Sequence, residues 1–113
     1  MAVTIWHNAA CSNSRGALQL IRDAGIEPTI VDYVAHPPTA AKLRKVLSDA
    51  GMGSMDLIRS KEPVFQELGL ADATEEARVA AMVAHPQLIN RPLVITPKGT
   101  RLCRPPTRVL ELL

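Results

Sequence analysis

Aromatic residues are nearly missing from this chain of 113 residues: Trp6, Tyr33 and Phe65 are the complete set. A core must come from Leu, Val, Ile, Ala and Met, and a surface that binds single-stranded nucleic acid by base stacking is disfavoured. A dominant charge is missing too. Thirteen basic residues face eleven acidic ones, a net charge of +2, too balanced for electrostatic nucleic-acid binding. No charged start is followed by an apolar stretch of signal-peptide length, and no later run approaches a membrane span. A cytoplasmic protein with no membrane contact is expected. Cysteine is limited to Cys11 and Cys103, which in that compartment stay thiols rather than a structural bridge. The three histidines, His7, His36 and His85, are scattered, and with the two cysteines they form no metal-ligand spacing. No linker, repeat or low-complexity segment interrupts the chain.

What is present suffices for one domain, 1–113, since 47% of the residues are apolar and a chain of this length supports one modest core. Residues 2–6 read as a buried strand. Residues 12–24 read as a helix with Ala17, Leu18, Ile21 and Ala24 on one face and Gly25 as its stop. Residues 28–34 form a second β-rich run, so the start is a βαβ unit with parallel strands. A helix from about Thr39 to Gly51 follows, then a short turn capped by Ser54, a short helix over 63–68, and a helix capped by Thr74 that stops near His85-Pro86. The period then changes. Residues 92–96 and 100–104 read as two strands of a hairpin around the turn 97–99, and "PPTRVLELL" ends as a short helix. The order implies an α/β (α+β) protein. A small mixed four-stranded sheet is flanked by helices in a thioredoxin-like topology, with a helical insert at roughly 38–90.

"HNAACSNSRG", residues 7–16, places Cys11 at a strand-to-helix junction. The first N–H groups of a helix lack intrahelical acceptors and, with the dipole, favour negative charge. A cysteine there is stabilised as thiolate, the nucleophilic form. Cysteine is also a common small buried apolar residue; the surrounding Ser12, Asn13 and Ser14 favour the nucleophile, and Arg15 adds positive charge one turn along. Position 14 is serine where a Cys-x-x-Cys motif has its second thiol, so the pattern suggests a thiol that attacks once and is resolved from outside. His7, four residues earlier, is placed to hydrogen-bond the thiolate or to fill a structural role.

From Asn90 to the end there are five basic residues against one acid, Glu111. Arg59, Arg91 and Arg104 each sit at a junction of regular structure, and arginine offers a planar fork of donors suited to tetrahedral oxyanions. Taken singly, each is better read as solvated surface, and sequence spacing does not show that the three converge. Cys103, in "TRLCR", reads as a packed structural thiol, with a resolving partner for Cys11 as the alternative.

"HNAACSNSR", "LIRSKE" and "LINRPLVITPKGTRLCRP" together resemble the glutaredoxin/glutathione-coupled arsenate reductase family, over residues 3 to about 112. The resemblance implies a thioredoxin-like fold with an extra helical region and Cys11 as nucleophile toward arsenate. Glutathione would act as co-substrate, glutaredoxin would complete reduction to arsenite, and no bound cofactor or metal is implied. Arg59, Arg91 and Arg104 match the family's oxyanion-binding arginines. His7 and Ser14 match residues near the nucleophile, Asn8 and Arg15 lie in the same matched segment, and a cis peptide is implied between Arg91 and Pro92. Two departures stand out. Ala9 occupies a position where the family commonly has proline, and some members carry a C-terminal tail beyond the position of Leu113. A monomer is expected. Two alternatives remain: a general glutathione-dependent thiol reductase, which needs Cys11 but not the three arginines, and a redox-sensing regulator that binds RNA polymerase, which usually needs the Cys-x-x-Cys that Ser14 removes.

Overall fold

The computed structural model describes all 113 residues. The backbone falls into two compact units, one formed by Met1–His36 with Arg91–Leu113 and the other by Pro37–Asn90.

The first unit is built on a sheet of four strands: β1 (Thr4–Trp6), β2 (Thr29–Val31), β3 (Leu93–Thr96) and β4 (Gly99–Leu102). Their spatial order is β2-β1-β3-β4. β1 and β2 are parallel, as their connection through helix α1 (Ser12–Asp23) requires. β3 runs antiparallel to both β1 and β4, which makes the mixed, thioredoxin-like sheet that the element order implies. One face carries Val3, Ile5, Val94 and Cys103, packed against Ala17 and Ile21 of α1 and against Val109 and Leu112 of the C-terminal segment. Period-two alternation puts Trp6 and Leu93, paired across β1 and β3, on the opposite face, and both are buried as well.

Several elements are shorter than the apolar patterns suggest, for local reasons. β2 ends at Val31 rather than continuing to 34. Asp32 turns the chain there, its Oδ1 accepting from the Ala35 N–H at 3.2 Å and its carbonyl from the His36 N–H at 2.9 Å. β3 begins at Leu93 because Pro92 has no N–H to donate, and β4 stops at Leu102, where the Cys103 N–H turns to the Pro92 carbonyl at 2.9 Å. α1 closes on Gly25, whose φ of 81° is left-handed and lets the chain reverse into Ile26. The last segment, Pro106–Leu112, is a 3-10 helix. It lies close on α1: a Cβ at Gly16 would stand 3.1 Å from Pro106 Cγ. The buried Thr96 hydroxyl donates to the Leu112 carbonyl at 2.8 Å.

The second unit is helical: α2 (Ala40–Ala50), α3 (Ser54–Leu57), α4 (Pro63–Glu67) and α5 (Glu75–Ala84). Leu43, Val46, Leu47, Leu57, Val79 and Met82 are buried in it, at the helical spacing visible in the sequence. Thr39 and Thr74 cap α2 and α5, each Oγ1 accepting an N–H at 3.1 Å. The buried Ser54 hydroxyl donates to Glu75 Oε1 at 2.5 Å, its N–H donates to Oε2 at 3.0 Å, and Arg78 closes the cluster. These bonds hold the Glu75 carboxyl below its usual range, the Ser54 side-chain bond contributing most. Thr74→Ala is expected to cost about 1 kcal/mol of stability through the lost cap, read as a lower urea midpoint with an unchanged slope.

Candidate active site

Cys11 is the N-cap of α1, extended at φ −94°, with its carbonyl accepting the first helical hydrogen bond from Arg15 at 3.0 Å. The loop that delivers it is a set of small polar locks. The Cys11 N–H donates to the Asn8 carbonyl at 3.0 Å, and Asn8 Oδ1 accepts from the Ala10 N–H at 3.0 Å. The buried Ser14 Oγ accepts from the Asn8 N–H at 3.0 Å, and Arg15 Nη1 donates to the Ala9 carbonyl at 2.8 Å. The loop around Ala9 is thus held by side chains of the helix it precedes. Ser14 therefore anchors the loop from beneath the nucleophile.

The thiol of Cys11 makes no capping hydrogen bond of ordinary geometry, as a neutral thiol is a weak acceptor. Its ionised form is nonetheless favoured. Partial burial pushes the pKa up, but the Ser14 N–H, a hydrogen bond from the Arg91 side chain, the Asn13 N–H and the Arg91 charge together outweigh it and bring it down to about 7. This is the helix-start effect expected from the sequence, strengthened by a cation. Cys103 is its opposite. It is fully buried among apolar side chains, and burial pushes its pKa up to about 11. Both cysteines are free thiols.

Arg91 and Arg104 reach Cys11 because of the hairpin. β3 and β4 pair Leu93 with Leu102, and the same register carried two residues further places Arg91 across from Arg104. The turn is Pro97-Lys98, with Thr96 paired to Gly99, one residue tighter than the 97–99 turn expected from the sequence, and this register brings two separated arginines to one end of the sheet. Arg104 Nη1 donates to the Arg91 carbonyl at 2.9 Å and lies 3.9 Å from Cys11 Sγ. The peptide bonds Arg91–Pro92 and Arg104–Pro105 are both cis; the first was expected, the second has no counterpart in the sequence reading. Two other basic residues of this segment turn elsewhere. Arg101 pairs with Glu111, and Lys98 Nζ donates to the Leu113 carbonyl at 2.6 Å.

His7 follows β1, its N–H donating to the Val31 carbonyl at 2.9 Å. Its Nδ1 is buried with no hydrogen-bond partner, and burial, followed by Arg22, lowers its pKa. It does not supply the thiolate's hydrogen bonds, which come from Ser14, Asn13 and Arg91. His7 lines, with Asn8, Ala10, Ile30 and Val34, an open groove of about 440 Å³ on the first unit. Arg59 belongs to the second unit. Its N–H donates to the Leu88 carbonyl at 2.7 Å, beside the Ile58–Ile89 bridge, and its Nε pairs with Glu62 at 3.4 Å. No group of three or more His, Cys, Asp or Glu side chains is placed to hold a metal ion, and no helix is long and apolar enough to cross a membrane.

The chemistry open to this arrangement is nucleophilic attack on an anion, a thiolate flanked by helix N–H groups and two guanidinium side chains. Comparison with known proteins gives the family. An arsenate reductase of Rhizobium meliloti (strain 1021) is 50% identical over all of this chain and 82% of its own length. One from Escherichia coli (strain K12) is 48% identical over 98% of this chain and 80% of its own. The solved structure of an arsenate reductase from Vibrio cholerae superposes with a TM-score of 0.96 at 38% identity, covering 100% of this chain and 98% of that one. Residues 6–112 match the ArsC family, and the chain belongs to that family.

Proposed function

We propose that this chain reduces arsenate to arsenite, with the Cys11 thiolate as nucleophile and glutathione and glutaredoxin as reductants. The observation that carries the reading is a helix-capping thiol held at about 7 with Arg104 Nη1 at 3.9 Å and Arg91 hydrogen-bonded to it. Arsenate is a tetrahedral dianion near neutral pH and suits N–H groups and guanidinium forks. Arg91 and Arg104, with Arg59 by family resemblance, bind its oxygens; Ser14, Asn8 and Arg15 keep the nucleophile loop in place; Pro92 sets the start of β3; and His7 borders the site. The chain acts as a single thioredoxin-like domain over 1–113, the helical insert running roughly from 38 to 90. It works as a cytoplasmic monomer with no bound cofactor.

The electron count explains why one cysteine suffices. Attack by Cys11 forms a sulfur–arsenic(V) bond and expels water, with no change of oxidation state. Glutathione adds a second sulfur to arsenic with loss of another water. A glutaredoxin thiolate then attacks the glutathione sulfur, the sulfur–arsenic bond breaks, and its electron pair stays on arsenic as arsenic(III). Glutaredoxin leaves as the mixed disulfide, and water releases arsenite and the Cys11 thiolate. Phosphate matches arsenate in shape and charge, so selectivity comes from arsenic(V) accepting the pair, not from binding.

The purified protein should form arsenite from arsenate only when both glutathione and glutaredoxin are present. Cleavage of a glutathionylated peptide with no arsenite formed would move the assignment to a general thiol reductase, the reading that needs Cys11 alone.

A further inference from the structure

Arg104 reaches Cys11 on a long side chain that loses rotamer freedom when it is fixed. One anchor is the Arg91 carbonyl, 2.9 Å from Nη1. The second is Asn13. With its amide turned so that oxygen faces the guanidinium, Oδ1 accepts from both Nη1 and Nη2 at 3.2 Å. The opposite orientation would set amide N–H groups against guanidinium N–H groups, donor against donor, so the hydrogen-bond network selects the oxygen. Asn13 is the second residue of α1, and its backbone N–H already favours the Cys11 thiolate. Its side chain takes hold of the arginine.

We infer that Asn13 is a positioning residue: its carboxamide oxygen fixes the Arg104 guanidinium over Cys11 and so sets how an oxyanion is received there. The neutral amide matters. An aspartate would grip the arginine more tightly through a charged bond, but it would place a negative charge beside the thiolate and offset the cation that an incoming anion needs. Asparagine orients the charge without cancelling it. The sequence pattern around Cys11 marks Asn13 only as one small polar neighbour among three, because nothing in residues 11–16 shows that position 104 returns to this point.

The inference rests on the reductase reading only for the choice of arsenate as anion, and the experiment separates the two. Asn13→Leu, Arg104→Ala and the double variant are compared by kcat/KM for arsenate and by the ratio of Cys11 alkylation rates with iodoacetate, an anion, and iodoacetamide, which is neutral. Asn13→Leu should lower kcat/KM about 3- to 10-fold, mostly through KM, as loss of a hydrogen-bonded anchor does, and should lower the iodoacetate preference. Added to Arg104→Ala, the same substitution should change neither quantity. Equal losses in both backgrounds, or no loss in either, would overturn the assignment. If the wild type forms no arsenite, the reductase reading fails, and the alkylation ratio by itself decides the role of Asn13.

Discussion

Cys11→Ser should end arsenite formation, lowering the rate by roughly 10,000-fold or more, as loss of a covalent nucleophile does, while Cys103→Ser should keep arsenite formation per folded molecule. The two thiols differ in environment rather than in chemistry. Cys11 caps a helix, meets the N–H groups of Ser14 and Asn13 and the Arg91 side chain, and ionises near pH 7. Serine keeps the cap and the size but has no accessible anion at that pH, so the fold should survive and the reaction should not. Cys103 is sealed in the core with Val3, Ile5 and Ile21, ionises only at about 11, and has no route to a substrate. A serine hydroxyl there loses stability, about 1–3 kcal/mol for a poorly satisfied buried polar group, so the comparison is made on folded protein. Retained arsenite formation in Cys11→Ser would remove the assigned nucleophile.

Arg91→Ala should be the next most damaging change, with two separable effects. Its side chain is the strongest side-chain influence on the thiolate, acting through both a hydrogen bond and charge. Its removal should raise the Cys11 pKa from about 7 toward the free-thiol value of about 8.5. At neutral pH the thiolate fraction then falls. The loss of a charged hydrogen bond to arsenate adds a factor of about 10–150 in kcat/KM, from about 1.5–3 kcal/mol. Raising the pH should recover the first effect and not the second. Arg104→Ala should resemble it in arsenate use. Full wild-type activity in Arg91→Ala at neutral pH would sink the oxyanion site as drawn.

The alternating and helical periods of the sequence were enough to place β1, α1 and the closing hairpin, because β1, α1 and β3 bury residues in the same core; the parallel β2, itself largely exposed, followed from the βαβ connection. They overran at the ends. Asp32 and Pro92 stop strands through hydrogen bonding that apolar pattern does not encode. The activated cysteine was legible because its cause is local: a helix start lies at the residue itself. The pairing of Arg91 with Arg104 was half legible, since it depends on the register of one hairpin. The hold of Asn13 on Arg104 was not, because it joins residues 91 positions apart along the chain through side-chain atoms alone. His7 went the other way. Proximity in sequence suggested a partner for the thiolate, but the ring lines the neighbouring groove and its Nδ1 stays unpaired.

The most direct measurement is the rate of Cys11 alkylation by iodoacetamide as a function of pH, followed by peptide mass, with and without arsenate. A depressed thiol pKa means that reactivity is lost as pH falls through about 7 and is nearly complete above it. The rate should therefore rise with a midpoint near 7, fall when arsenate is added, and leave Cys103 unmodified throughout. A midpoint at the free-thiol value of about 8.5, or a rate that arsenate does not change, would contradict an activated thiolate that receives an oxyanion at this helix end.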